Sequence, residues 1–469
     1  MTEPVHYLSA TALRQKILKR ELSCEEVMRA HLERIEAVNP KLNAIVTFEP
    51  DKALAGAKKA DEVLAKGEKV GPLHGLPIAH KDLVDTKGVR TTYGSPLFKD
   101  FVPDEDALLV QRLKGAGALS VGKTNTPEFG AGSQTFNEVF GATKNPYDPS
   151  KTCGGSSGGA AVALASGMLP LADGSDMGGS LRNPAAFCNV VGFRPTPGLV
   201  PSYPTRNAWA SLSTSGPMAR SVEDVALLLS AIAGPDPRSP LSRQDDPAKF
   251  RQGLGRDFKD TRIAWCMDLA DLPFDKRVTE TLEPLHTVFE GLGCDLDTPK
   301  LDFSGADQAF KIMRAHAFAS SRGDLLNEHR DALKDTVIWN IEEGLKLKAT
   351  DITRAETLRT QLFARIATLM QSYSFIVLPV TQVLPFDIET EYITDINGVE
   401  METYIDWMKS CYFISILGNP AISVPAGFTA EGLPVGLQIV GRYGCDLEVL
   451  QLAHAFEGAT HFAGQRPTV

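Results

Sequence analysis

Residues 154–186 read GGSSGGAAVALASGMLPLADGSDMGGSLRNPAA, and this stretch decides how the rest of the chain is understood. Two Gly-Gly-Ser units, ending at Ser156 and Ser180, flank an alanine-rich run of helical character and a short run of strand character. Glycines beside a serine let the backbone come close to a substrate and adopt angles that other residues resist. Successive N–H groups in such a turn converge on one point and bind a developing negative charge there. One such unit alone is an ordinary turn. Two of them around one helix and one strand, with Asp176 and Arg182 beside the second, point to chemistry.

Two familiar loop types do not fit. A phosphate-cradling P-loop needs Lys-Ser or Lys-Thr after its last glycine, whereas Gly159 is followed by Ala160 and Ala161. Gly154–Gly158 matches the G-x-S-x-G nucleophile elbow around Ser156. That elbow needs a core strand directly before it. The lead-in at 145–152, NPYDPSKT, is too rich in proline and polar residues to be one.

Working outward, glycine, serine, threonine, asparagine and proline stay dense from about Gly71 to Pro217. Short apolar runs are set among them at 76–79, 118–121 and 169–172, which predicts an α/β sheet whose loops carry the function. Upstream, Ser23 and Glu26 form a capping box for a helix carrying Met28, Leu32 and Ile35, with Asn39 and Pro40 as its stop. A second helix is expected over 51–66. Residues 236–373 are more charged and read as a peripheral, mostly helical region with one strand at 262–267. Strands are expected at 375–378, 421–424 and the end of 432–441, and a closing helix at 447–457. The expected division is 1–70 for N-terminal helices, 71–235 for a catalytic core, 236–373 for the variable helical region and 374–469 for the rest of the core.

The 469 residues are 43% hydrophobic and 23% charged, as in an ordinary globular protein. The net charge of −10 argues against a nucleic-acid or anionic-membrane surface. The opening MTEPVHYLSATAL lacks a basic region followed by an apolar core, so no secretory signal is expected. No apolar run reaches about 18 residues, so no membrane span is expected. The seven cysteines are odd in number and none forms C-x-x-C, which suits reduced thiols in a cytoplasm. The histidines show no metal-binding spacing, and no metal or cofactor is expected.

The GGSSGG and GGS-x-R-x-P elements closely resemble the amidase signature family. The resemblance continues through Gly75-Leu-Pro77 with Lys81-Asp82, then Gly122-Lys-Thr-Asn125, Phe129 and Asn145-Pro146. Later matches are Gly192-Phe-Arg-Pro195, Ser215-Gly-Pro217 and Gly432-Leu-Pro434; the likeness is weakest over 236–373. It implies one large α/β domain, a twisted mixed sheet surrounded by helices. It also implies a seryl acyl-enzyme mechanism, with Ser180 as nucleophile, Ser156 as bridge at a cis peptide bond, and Lys81 as base. A serine hydroxyl needs a base, and lysine serves only when neutral, which burial promotes. By the same resemblance Met177, Gly178, Gly179 and Ser180 offer N–H groups to the oxyanion, and Ser157, Asp176 and Arg182 support the loop. His80 beside Lys81 leaves a Ser–His arrangement as the competing reading.

Family members cleave aliphatic, aryl and fatty amides, carbamates and ureas, so a small-molecule amide or related substrate and water are the expected partners. Phe129, Gly130, Ala131 and Gly132 match a pocket-lining segment. One aromatic followed by small residues predicts an open apolar acyl or aryl site, with Tyr203 and Trp209 as a further wall. Two alternatives stay open: the glutaminase component of a tRNA-dependent amidotransferase, and a non-catalytic binding protein on this scaffold. Against the first, Arg194-Pro-Thr-Pro-Gly-Leu-Val200 departs from the run associated with that component.

Overall fold

The run Phe375–Pro379, FIVLP, shows no polar alternation because the strand it forms is buried on both faces. Phe375 and Val377 enter one hydrophobic cluster, and Ile376 and Leu378 enter another. Successive side chains leave a strand on opposite sides, so the two clusters are the two faces of one sheet. The structure, a computed structural model, describes residues 3–469; Met1 and Thr2 of the opening stretch lie outside the described residues.

In chain order the strands are β1 (Ile45–Phe48), β2 (Pro77–Lys81), β3 (Leu119–Thr124), β4 (Leu171–Asp176), β5 (Val191–Arg194) and β6 (Thr214–Ala219). Then come β7 (Thr261–Trp265), β8 (Cys294–Asp297), β9 (Phe375–Pro379), β10 (Asp395–Ile396), β11 (Val399–Glu400), β12 (Ala421–Phe428) and β13 (Pro434–Gly441). All but β10 and β11 form one sheet, in the order β1-β3-β2-β4-β6-β5-β12-β13-β9-β7-β8. It is mixed: β2 runs parallel to β3 and β4, whereas β4–β6 and β12–β13 are antiparallel. Helices Val222–Ile232 and Asp446–Thr460 cover one face through Leu228 and Leu450. Helices Ala306–His329, Ala349–Ser372 and Lys409–Leu417 cover the other through Phe310, Leu362 and Ile414. This is the single α/β domain expected.

Two local expectations are corrected. The helix Cys24–Leu42 passes through Pro40 instead of stopping there. The helix ends two residues later, so the lost N–H costs little, and Asn39 Oδ1 accepts the Ala44 and Ile45 N–H groups at 2.9 Å each. Region 236–373 is also more than a helical periphery. Its β7 and β8 extend the central sheet beyond β9. The charged stretch CDLD at β8 hid that strand, because an edge strand is solvated on one side.

The glycine-rich segment enters the helix Gly158–Ala165, which packs backbone to backbone. A Cβ on Gly159 would lie 2.3 Å from the Asn125 nitrogen and 2.6 Å from the Ala44 oxygen. Neither backbone atom can swing aside. Gly159→Ala is therefore expected to destabilise the fold by about 1–3 kcal/mol, read as a lower urea midpoint. An unchanged midpoint would mean the helix slides freely.

Candidate active site

Because β2 and β4 are parallel neighbours, their C-terminal ends lie at one end of the sheet, where open α/β sheets collect their ligands. Lys81 closes β2, and Ser175 and Asp176 close β4. The Ser156 loop and the turn carrying Ser180 meet there. Lys81 is fully buried, and its Nζ donates to Ser156 Oγ at 2.7 Å and to Ser175 Oγ at 3.2 Å. It forms no ion pair among the described residues. Burial drives its pKa down to about 7, against the weaker pull of Asp176 and Asp173. Both acids are already engaged. Asp173 holds His80 Nδ1 at 2.6 Å and the Lys81 N–H at 3.0 Å. Lys81 can therefore be neutral near pH 7 and accept a proton through Ser156.

The Gly155–Ser156 peptide is cis. Ser157 joins the two glycine-serine loops: its N–H donates to the Ser180 carbonyl at 3.2 Å, and its Oγ accepts from the Ser175 N–H at 3.4 Å. Gly179 sits at φ +115, where a side chain is strained, and a Cβ there would lie 2.5 Å from that of Cys411. One departure from the sequence reading concerns its N–H, which donates to Asp176 Oδ1 at 2.9 Å. That amide is turned into the loop by the carboxylate. The N–H groups of Met177, Gly178 and Ser180 are left as the available donors.

Asp176 anchors the turn. Burial pushes its carboxyl up, but Arg182 and Arg194 together outweigh this and hold it well below the usual carboxylate range. Arg182 reaches Asp176 at 3.0 Å, the Cys411 carbonyl at 3.0 Å, Gln438 Oε1 at 2.5 Å and Ser415 Oγ at 2.6 Å. Arg194 also bonds the Asp176 carbonyl. All three charged side chains are fully buried. Asp176→Ala leaves two buried guanidiniums without their acid. It is expected to cost about 3–5 kcal/mol in denaturant unfolding and to disorder the turn.

The Ser–His arrangement fails on geometry. His80 and Lys81 are consecutive on β2 and point to opposite faces, so Lys81 meets Ser156 while His80 meets Asp173. The pocket residues divide. Gly130 abuts the site: a Cβ there would lie 3.3 Å from Ser156 Oγ and 3.1 Å from Leu83 Cδ1. Phe129 is half-buried beside Tyr93 and Phe98. Ala131 instead sits inside a small core with Phe318 and Leu333, and Gly132 faces Tyr404. Tyr203 lines a cleft of about 790 Å³ that also includes Leu83, Tyr93, Ser215 and Arg322. Trp209 does not line it and is 73% exposed, because its loop turns it to solvent. Asp85, Arg206 and Arg322 add charge to a lining that also carries Leu83, Phe98 and Leu109. Ser175, Leu83, Tyr93 and Arg322 were missed by sequence reasoning. Ser175 stands inside the GSDMGGS motif and was detectable there; Arg322 lies in a helix with no motif.

A family profile described as Amidase matches residues 26–450. The chain is 37% identical over its whole length to an acylamidase of Rhodococcus erythropolis, covering 98% of that protein. It is 35% identical over 99% of its length to a glutamyl-tRNA(Gln) amidotransferase subunit of Carboxydothermus hydrogenoformans, covering 99% of that protein. A bacterial aryl acylamidase structure of the amidase signature family superposes with a TM-score of 0.92 at 29% identity, over 99% of this chain and 100% of that one. No helix among the described residues is long and apolar enough to cross a membrane. With its glycine-serine loops and buried lysine in this fold, the chain belongs to the amidase signature family and is a hydrolase of carboxylic amide bonds.

Proposed function

We propose that this chain works as a stand-alone acylamidase, with Ser180 as nucleophile, Ser156 as bridge and Lys81 as base. The observation that carries the reading is the buried Lys81 amine, 2.7 Å from Ser156 Oγ and without a carboxylate partner among the described residues. Ser180 Oγ attacks the amide carbon and gives its proton to Ser156, whose own proton passes to Lys81. The oxyanion is held by the Met177, Gly178 and Ser180 amides, each such donor contributing about 2.7–4 kcal/mol. The C–N bond then breaks, and the amine leaves with the proton returned through Ser156. Water enters, the same relay deprotonates it, and the acyl ester is cleaved to the carboxylic acid and free Ser180.

Likeness to the acylamidase and the aryl acylamidase supports acyl and aryl amides as substrates. The 35% identity to an amidotransferase component keeps a glutaminase reading in view, in which the chain works only within a complex. The two separate on one preparation. The purified chain alone is expected to hydrolyse anilides and to take a fluorophosphonate label on the peptide bearing Ser180. Label on Ser156 would reverse the serine roles, and no label with no hydrolysis would remove the stand-alone enzyme. All seven cysteines are free thiols, which fits a reducing, cytoplasmic setting.

A further inference from the structure

The cleft lined by Leu83, Tyr93 and Tyr203 holds two cations that the mechanism does not use, Arg206 and Arg322, and among the described residues Arg322 is the one without an acidic partner. Arg322 lies on the helix Ala306–His329, half-buried in the cleft wall. A guanidinium carries several N–H donors in a planar fork matched to a carboxylate. Among the described residues Arg322 spends one of them, on the carbonyl of its neighbour Ser321 at 3.1 Å, and meets no carboxylate within ion-pair distance. Its neighbours do not complete it. Asp85 on the same wall accepts the Tyr93 hydroxyl at 2.5 Å, and Arg206 pairs with Asp324 at 3.5 Å, out in solvent. A partly desolvated charge with idle donors is costly unless a ligand satisfies it.

Its position ties it to the reaction centre. The guanidinium stacks 4.7 Å above the Phe129 ring. Phe129 adjoins Gly130, where an added Cβ would lie 3.3 Å from Ser156 Oγ and 3.1 Å from Leu83 Cδ1. One continuous wall therefore runs from Ser156 past Phe129 to Arg322. We propose that Arg322 binds a carboxylate at the end of the substrate remote from the scissile amide, so that anionic amides are preferred over neutral ones. This rests on reading Ser156 and Ser180 as the amide-cleaving site.

The test uses two matched pairs of amides: 4-acetamidobenzoate with its methyl ester, and glutaranilate with valeranilide. In at least one pair the wild-type enzyme should favour the anionic member by about 10-fold or more in kcat/KM, carried mainly by KM. Arg322→Met should erase that ratio and Arg322→Lys should keep part of it. For the wild type, KM of the anionic member should rise with ionic strength while that of its neutral partner stays level. Ratios near one in both pairs, or equal losses for both members on Arg322→Met, would overturn the anion subsite while leaving the amidase reading intact. If the wild type cleaves none of the four, or Ser180→Ala cleaves them equally well, the amide-cleaving site itself is wrong and the subsite falls with it.

Discussion

Ser180→Ala is expected to lower kcat by roughly 10⁴–10⁶-fold while the protein keeps its circular dichroism and unfolding midpoint. The size follows from the chemistry. Without the hydroxyl no acyl-enzyme forms, and the remaining amides of the turn can only polarise a bound carbonyl. The structural cost is small, because Ser180 engages the fold through its backbone: its carbonyl accepts the Ser157 N–H at 3.2 Å. Ser156→Ala should lower kcat as well but leave Ser180 as the only labelled serine position. Hydrolysis within about tenfold of the wild type in Ser180→Ala would end the mechanism, since a whole catalytic route is being removed.

Lys81 supplies the second large effect, and it has two opposite signs. Lys81→Met should cut kcat by roughly 10²–10⁴-fold, the range for losing a general base. In the wild type the working form is neutral lysine. kcat/KM should therefore fall about tenfold per pH unit below pH about 7 and level off above it. Stability carries the opposite sign for the substitution, although in the wild type it too rises with pH. The folded pKa of about 7 lies below the ordinary value of 10.5. Between those values the unfolded chain binds a proton that the folded chain refuses, so stability rises with pH there. The penalty is full below pH 7 and gone above pH 10.5. Lys81→Met removes it, and at pH 7 the variant should be more stable by on the order of a few kcal/mol, after allowing for the lost partners of Ser156 and Ser175. The gain should vanish towards pH 10.5. A variant that is less stable than wild type at pH 7, with no pH dependence to the difference, would show that Lys81 is not held neutral by the fold.

Much of this site was legible in the chain because its geometry is set locally. Gly179 is needed by its φ of +115, and Gly178 by the Phe310 ring 2.9 Å from where a Cβ would stand, so glycine is written where the turn must be. The strand ends at Lys81 and Asp176 follow from short apolar runs. The charged edge strand β8 was not legible, since half-solvated strands carry little apolar signal. Nor was the loss of the Gly179 amide to Asp176, which depends on how one turn folds back on the end of its own strand.

The sequence by itself determined the fold class and the family, and it singled out Lys81, Ser156 and Ser180, because motif and backbone need coincide over short stretches. Tertiary structure alone decided what those residues can do. Lys81 can lose its proton near pH 7 because strands distant in the chain bury it while His80 and the two arginines occupy the nearby acids. It likewise decided what else the cleft presents, since Arg322 reaches Phe129 only through the packing of a helix far along the chain. Burial and charge pairing are sums over neighbours in space, and a linear order of residues does not contain them.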